Sequence, residues 1–171
     1  MTNSIGMVLV RMPSGFWVGK YEITWAEYAK IMDTGGNNDP RMPVNQVSWN
    51  DAAEFCRRLT QKEADNLRGK IYSLPTQKQW EEFRAGQKLE DLPPGSLKSS
   101  FQTSAYVTDT ATNKLGLHGV LGNVWEWCLD GETATGKLQA GGEVNNTSYN
   151  RLVTAGKARP NSGFRCVLIP K

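Results

Sequence analysis

A single histidine and three cysteines in 171 residues leave little from which to build a metal or nucleophilic centre. Cys56, Cys128 and Cys166 match no zinc-ligand spacing and no disulfide-dense scaffold, so at most one intramolecular bridge can form. His118 alone cannot supply a multi-histidine iron site, and it gives a Ser-His-Asp arrangement little support. Its ordinary reading is a structural residue near a turn. Charge of one sign is also scarce: twenty Lys and Arg against seventeen Asp and Glu leave +3, far below what neutralising a run of phosphates requires, which argues against a nucleic-acid partner. Apolar runs such as Met7 to Val10 and Val167 to Ile169 are too short to span a bilayer, so no direct membrane insertion is expected. The N-terminus has no basic n-region and Arg11 interrupts its apolar stretch, so no secretory signal is visible. The acidic pairs Glu81–Glu82 and Glu90–Asp91 read as solvated charges rather than as an acid and a base.

What is present points to one α+β domain over residues 1–171, long enough for a single well-filled core. Six Trp beside seventeen Gly suggest aromatic rings packed against backbone rather than a helical bundle. Three short helices carry their own start signals. Thr24 with Glu27, Ser48 with Asp51 and Thr76 with Gln79 form capping boxes or close variants. Each is followed by apolar residues on one face: Trp25, Tyr28, Ala29 and Met32; then Ala52, Phe55, Cys56 and Leu59; then Trp80 and Phe83, with Gly86 as the stop. Strands are expected at Met7 to Val10, Phe16 to Ile23 and Gly163 to Ile169, and only short strands and turns between the third helix and the last strand. Gln87 to Ala111 reads as a long surface loop.

Five ordered stretches, WVGKYEITWAEYAK (17–30), PVNQVSWNDAAEFCRRL (43–59), SLPTQKQWEEFRAG (73–86), GLHGVLGNVWEWCLD (116–130) and GFRCV (163–167), resemble the motifs of the formylglycine-generating enzyme or sulfatase-modifying-factor family. The resemblance implies a C-type-lectin-like fold of that subgroup: paired terminal strands, helices flanking a small antiparallel sheet, and much irregular structure. Enzymes and pure binding modules share this fold, so function has to be argued from the site. The oxidase branch binds copper with a cysteine pair shortly before the final GFR. The corresponding stretch here contains no cysteine until Cys166, which implies that the copper chemistry is absent and the chain is not an enzyme. The family's calcium site carries over onto Gly122, Val124 and Glu126, but Gly119 stands where an acidic or amide side chain is usual. Calcium takes six to eight oxygen ligands, so this set is depleted, with calcium an optional cofactor and none required. Family members with cysteines in both motifs join the pair equivalent to Cys56 and Cys166; Cys128 is left unpaired.

The resemblance extends to non-catalytic members, the variable proteins of diversity-generating retroelements of phages, archaeal viruses and bacteria, whose variable positions lie between a Gly-Gly motif and the terminal GFR strand. Gly141, Gly142 and the Asn-rich stretch before GFRCV match that placement. From Lys137 to Lys171 six basic residues face Glu143 as the one acid, a segment charge of +5. Glu143, Asn145, Asn146, Ser148, Tyr149, Asn150, Lys157, Arg159 and Asn161 are therefore the candidate ligand-binding patch, with Tyr149 its aromatic anchor and Arg159 its principal charge. The expected partner is a protein or other surface receptor. Virion association, or export within a larger assembly, is compatible with this reading. Two alternatives stay open: an oxidase with a noncanonical site, and a structural or regulatory interaction domain.

Overall fold

The computed structural model describes residues 1–34, 38–93, 104–131, 136–141 and 150–171. All three anticipated helices form where their caps place them. Helix α1 (Trp25–Met32) starts at Thr24, α2 (Trp49–Lys62) at Ser48 and α4 (Gln77–Arg84) at Thr76, and each cap makes the reciprocal pair of a capping box. The inward face of α2 holds Ala52, Phe55, Cys56 and Leu59, as the spacing requires. On α1 the buried residues are Tyr28 and Ile31, while Trp25 and Met32 are only partly covered. Helix α4 ends at Arg84, with Gly86, the expected stop, directly after its C-cap. Its C-cap is Ala85 at φ 60°, followed by Gly86 at φ 74°.

Two four-stranded sheets organise the described residues. The first contains β1 (Leu9–Arg11), β2 (Trp17–Gly19), β3 (Lys70–Ser73) and β8 (Val167–Pro170) in the order β1-β2-β8-β3, so a strand from each end of the chain lies side by side. The second contains β4 (Trp125–Trp127), β5 (Lys137–Ala140), β6 (Asn150–Val153) and β7 (Ser162–Gly163) in the order β6-β5-β4-β7. The strand read from Phe16 to Ile23 is shorter than its alternation suggested, and β3 with the short α3 (Ala64–Leu67) had no sequence signal. Four residues give too brief a period to detect, and β3 exists because β8 pairs along its whole length. Between Gln87 and Ala111 the described part holds a 3₁₀ turn at Leu89–Asp91 and a buried Val107; residues 94–103 lie outside the described residues.

The last strand departs most from its expectation. GFRCV does not run as one strand: Ser162–Gly163 pairs parallel with β4 in the second sheet, and Val167 onward pairs with β2 and β3 in the first. Phe164 to Cys166 bridge the two sheets. Gly163 is required there, since a Cβ would strike the Val44 carbonyl and the Val124 side chain. Phe164 and Cys166 enter the core formed with Tyr28, Phe55, Leu59, Leu168 and Trp127. Trp80, Phe83, Val18, Val167, Leu117 and Leu138 form the second core.

Trp80 is fully buried and edge-on to Phe83. Trp80→Ala should lower unfolding free energy by about 3–5 kcal/mol; denaturant unfolding checks this, and a loss below about 1 kcal/mol contradicts the packing. The Cys56 and Cys166 sulfurs stand 3.5 Å apart, both buried, while Cys128 is buried elsewhere, in the second core. Thiol titration before and after mild oxidation should report loss of two thiols out of three. In the chain-entropy account, closing a loop of this length stabilises the fold by roughly 4–5 kcal/mol.

Candidate functional site

The late segment is mounted on the second sheet. Because antiparallel partners share a face, Trp127, Gln139 and Arg151 line up across β4, β5 and β6, and Trp125 sits opposite Ser162 on the same face. The Arg151 guanidinium stacks 4.2 Å from the Trp125 ring centroid and donates to Gln139 Oε1 at 2.8 Å and Ser162 Oγ at 3.4 Å. Lys137 lies over Trp49 at 4.4 Å. Cations laid on indole faces hold their charge near the surface while the carbon stems cover the sheet. Two buried donors of this face, Trp125 Nε1 and Gln139 Nε2, have no acceptor among the described residues.

Beneath the segment lies a buried ionic cluster. Arg165, in the bridge between the sheets, donates through Nε and Nη2 to Glu126 Oε1 at 2.9 and 2.7 Å, through Nη1 to the Gly19 carbonyl at 2.9 Å, and through Nη2 to the His118 carbonyl at 2.7 Å. Trp80 Nε1 donates to Glu126 Oε2 at 3.2 Å. A second carboxylate, Glu22, accepts from Asn123 Nδ2 at 3.0 Å, and its Oε2 stands 3.9 Å from Arg165 with no hydrogen bond. All three charged side chains are fully buried. Burial pushes the Glu22 carboxyl up from 4.5 to about 7; the Arg165 charge pulls it back, and the Glu126 carboxylate raises it further.

This geometry bears on calcium. Both oxygens of Glu126 are already engaged by Arg165 and Trp80, and Gly119 offers no side-chain oxygen. A Cβ at Gly119, whose φ is +63°, would collide with the Glu22 carboxylate, so that carboxylate occupies the room a side chain at 119 would need. Gly122 and Val124 are buried in the same turn. The residues present do not fit a calcium ion: its one carboxylate ligand is bound to a guanidinium.

Of the nine patch residues, Glu143, Asn145, Asn146, Ser148 and Tyr149 lie outside the described residues. Lys157 and Arg159 are exposed, and Asn150 is half-buried at the start of β6. Asn161, half-buried with φ 59°, accepts the Trp125 amide proton on its carbonyl at 2.7 Å, which ties its backbone to β4. Lys157 and Arg159 thus share one exposed run, 156–160, while Asn161 is partly structural. The sequence reading missed Arg151, Gln139 and Trp125 as one face, and Glu22 and Arg165 as a pair. An arginine inside the apolar run GFRCVLI was the available signal, since a buried charge demands partners. His118 is held structurally: its ring lies 3.1 Å from the Thr110 carbonyl and its own carbonyl serves Arg165.

The model of the sulfatase-modifying factor enzyme 1-like domain matches residues 7–169. The chain belongs to this family. It is 31% identical to the inactive C-alpha-formylglycine-generating enzyme 2 of Mus musculus over 73% of this chain and 48% of that protein. To the formylglycine-generating enzyme of Thermomonospora curvata it is 26% identical, over 77% of this chain and 57% of the enzyme. The chain therefore spans about half the length of these two relatives. Among solved structures, Treponema denticola variable protein 1 superposes with a TM-score of 0.74 at 18% identity, covering 99% of this chain and 94% of that one. The Major Tropism Determinant U1 variant gives 0.56 at 18% identity, covering 99% and 54%. The domain has the C-type-lectin-like α+β fold of the formylglycine-generating-enzyme subgroup, and no helix among the described residues is long and apolar enough to cross a membrane.

The ionic cluster gives the family fold a pH signature here. Because Glu22 titrates higher folded than unfolded, its contribution to stability is fully present below about pH 4.5, declines as pH rises and is lost above about pH 7. The loss across that window is roughly 3 kcal/mol. Glu22→Gln should flatten the decline and raise stability at pH 8, as read by urea unfolding at several pH values; an unchanged slope would place the proton elsewhere.

Proposed function

We propose that this chain is a non-catalytic ligand-recognition domain of the variable-protein kind, binding a protein or other surface receptor through its late segment. One observation carries the reading: where the oxidase branch places its copper cysteines, this chain has none, and the segment from Lys137 to Lys171 that contains this stretch carries a charge of +5. All three cysteines that it does possess are buried in the cores. An unlike chemistry has taken the place of the oxidase site. Arg151 lies on an indole face, Lys157 and Arg159 are exposed, and Leu152 is 52% exposed beside them in sequence. Aromatic and arginine anchors next to exposed apolar surface are the usual makings of a binding hot spot. Folding stability resides in the capped helices and the two cores, so the segment can change composition without dismantling the scaffold. Alignment over nearly the full length of Treponema denticola variable protein 1 supports the same reading at the level of the fold. A receptor-binding role is compatible with display on a virion or within an exported assembly.

Two experiments test it. Incubated with copper and a cysteine-containing sulfatase peptide, the purified chain should yield no formylglycine and retain no stoichiometric copper; turnover would restore the oxidase reading. Sequencing the segment that encodes residues 143–161 in independent isolates should find substitutions concentrated at its Asn, Ser and Tyr codons. An invariant segment would leave an interaction domain of fixed specificity. Lys157→Glu with Arg159→Glu should leave the melting temperature unchanged, since both side chains are solvent-exposed.

A further inference from the structure

Away from the second sheet, a cavity of about 290 Å³ opens between the first sheet and α3. Its floor is a cross-strand row: Trp17 on β2 and Tyr72 on β3 both pair with Leu168 on β8, so all three stand on one face. Glu63, at the junction of α2 and α3, borders this space at 5% exposure. Its carboxylate accepts hydrogen bonds from the Ser4 amide at 2.8 Å, the Ser4 hydroxyl and the Tyr72 hydroxyl at 2.6 Å. All three donors are neutral. Among the described residues Glu63 has no ion-pair partner, unlike the buried Glu126. A carboxylate has about four acceptor sites, of which three are used. Burying a charge without a counter-charge is costly, and here the space beside the charge is open.

Lys70 also lines the cavity, two residues from Tyr72 on the same sheet face, and so does Met1, whose ammonium donates to the Leu9 carbonyl at 2.8 Å, so the walls offer cationic groups as well as one anion. A free cation would meet Lys70, and a free anion would meet Glu63. We propose that this cavity binds a small zwitterion of the α-amino-acid type, its ammonium on Glu63, its carboxylate toward Lys70 and its apolar side chain against the Trp17 ring. The ammonium fills the remaining acceptor site of Glu63 and supplies the missing counter-charge. The indole adds a cation-tolerant wall. The volume lies at the small end of ligand pockets, which suits a single amino acid rather than a peptide. This site draws on none of the residues of the recognition segment, so it stands or falls independently of the function proposed above.

Isothermal titration of the untagged chain with norleucine, pentylamine and hexanoate tests the assignment. Norleucine should bind saturably, and each singly charged probe roughly tenfold or more weakly, the equivalent of losing one charge-assisted hydrogen bond. Glu63→Gln keeps an acceptor for Ser4 and should abolish norleucine binding, with folding verified by circular dichroism. Lys70→Met, at a half-exposed position, should bind pentylamine as well as norleucine, and it remains informative if the Glu63 variant misfolds. Absence of saturable norleucine binding, equal binding of pentylamine by the wild-type chain, or an unaltered titration of folded Glu63→Gln would each overturn the proposal.

Discussion

Arg165 is the interaction on which the two sheets depend. It occupies the three-residue bridge where the chain leaves β7 for β8, and its guanidinium reaches β4 through Glu126, β2 through the Gly19 carbonyl and the turn before β4 through the His118 carbonyl. Its neighbours Phe164 and Cys166 enter the core on the other side. A buried ion pair adds little net stability once desolvation is counted, but removing one partner costs about 3–5 kcal/mol because the other charge is stranded. Here two carboxylates would be stranded. The cluster therefore specifies the relation between the sheets more than it strengthens either of them.

That constraint also accounts for the local departures from the family pattern. The Glu22 carboxylate needs the space above Gly119, so a ligating side chain cannot return there without displacing it. Glu126 is committed to Arg165 and Trp80 and is not available as a cation ligand. Burial displaces Glu22 toward neutrality, the Arg165 charge opposes that, and the nearby Glu126 carboxylate adds to it.

The late segment is attached to this framework at a few backbone points. Trp125 donates its amide proton to Asn161, Val47 donates to Ser162, and Trp49 donates to Ala155. These bonds fix where the segment leaves and rejoins the second sheet, while Thr154 and residues 156–160 are turned to solvent. A scaffold whose stability is invested in helix faces and inter-sheet contacts can carry surface positions of changing identity, and that division of labour is what the proposed function requires.

Local structure was legible in the amino-acid order: capping boxes at Thr24, Ser48 and Thr76, and the buried face of α2, because those signals depend on residues three or four apart. That order also carried the family motifs, the absence of a copper cysteine pair and the proximity of Cys56 to Cys166 that those motifs imply. The remainder came from long-range pairing. Strand β3 exists because β8 is there to pair with it, and the final strand divides because its two ends find partners in different sheets. Glu22 and Arg165 are 143 positions apart, and neither Glu63 nor Lys70 had any mark distinguishing it from a surface charge. Helix caps and faces are written in short-range periodicity, whereas the fate of a charge depends on which distant groups surround it when water is excluded.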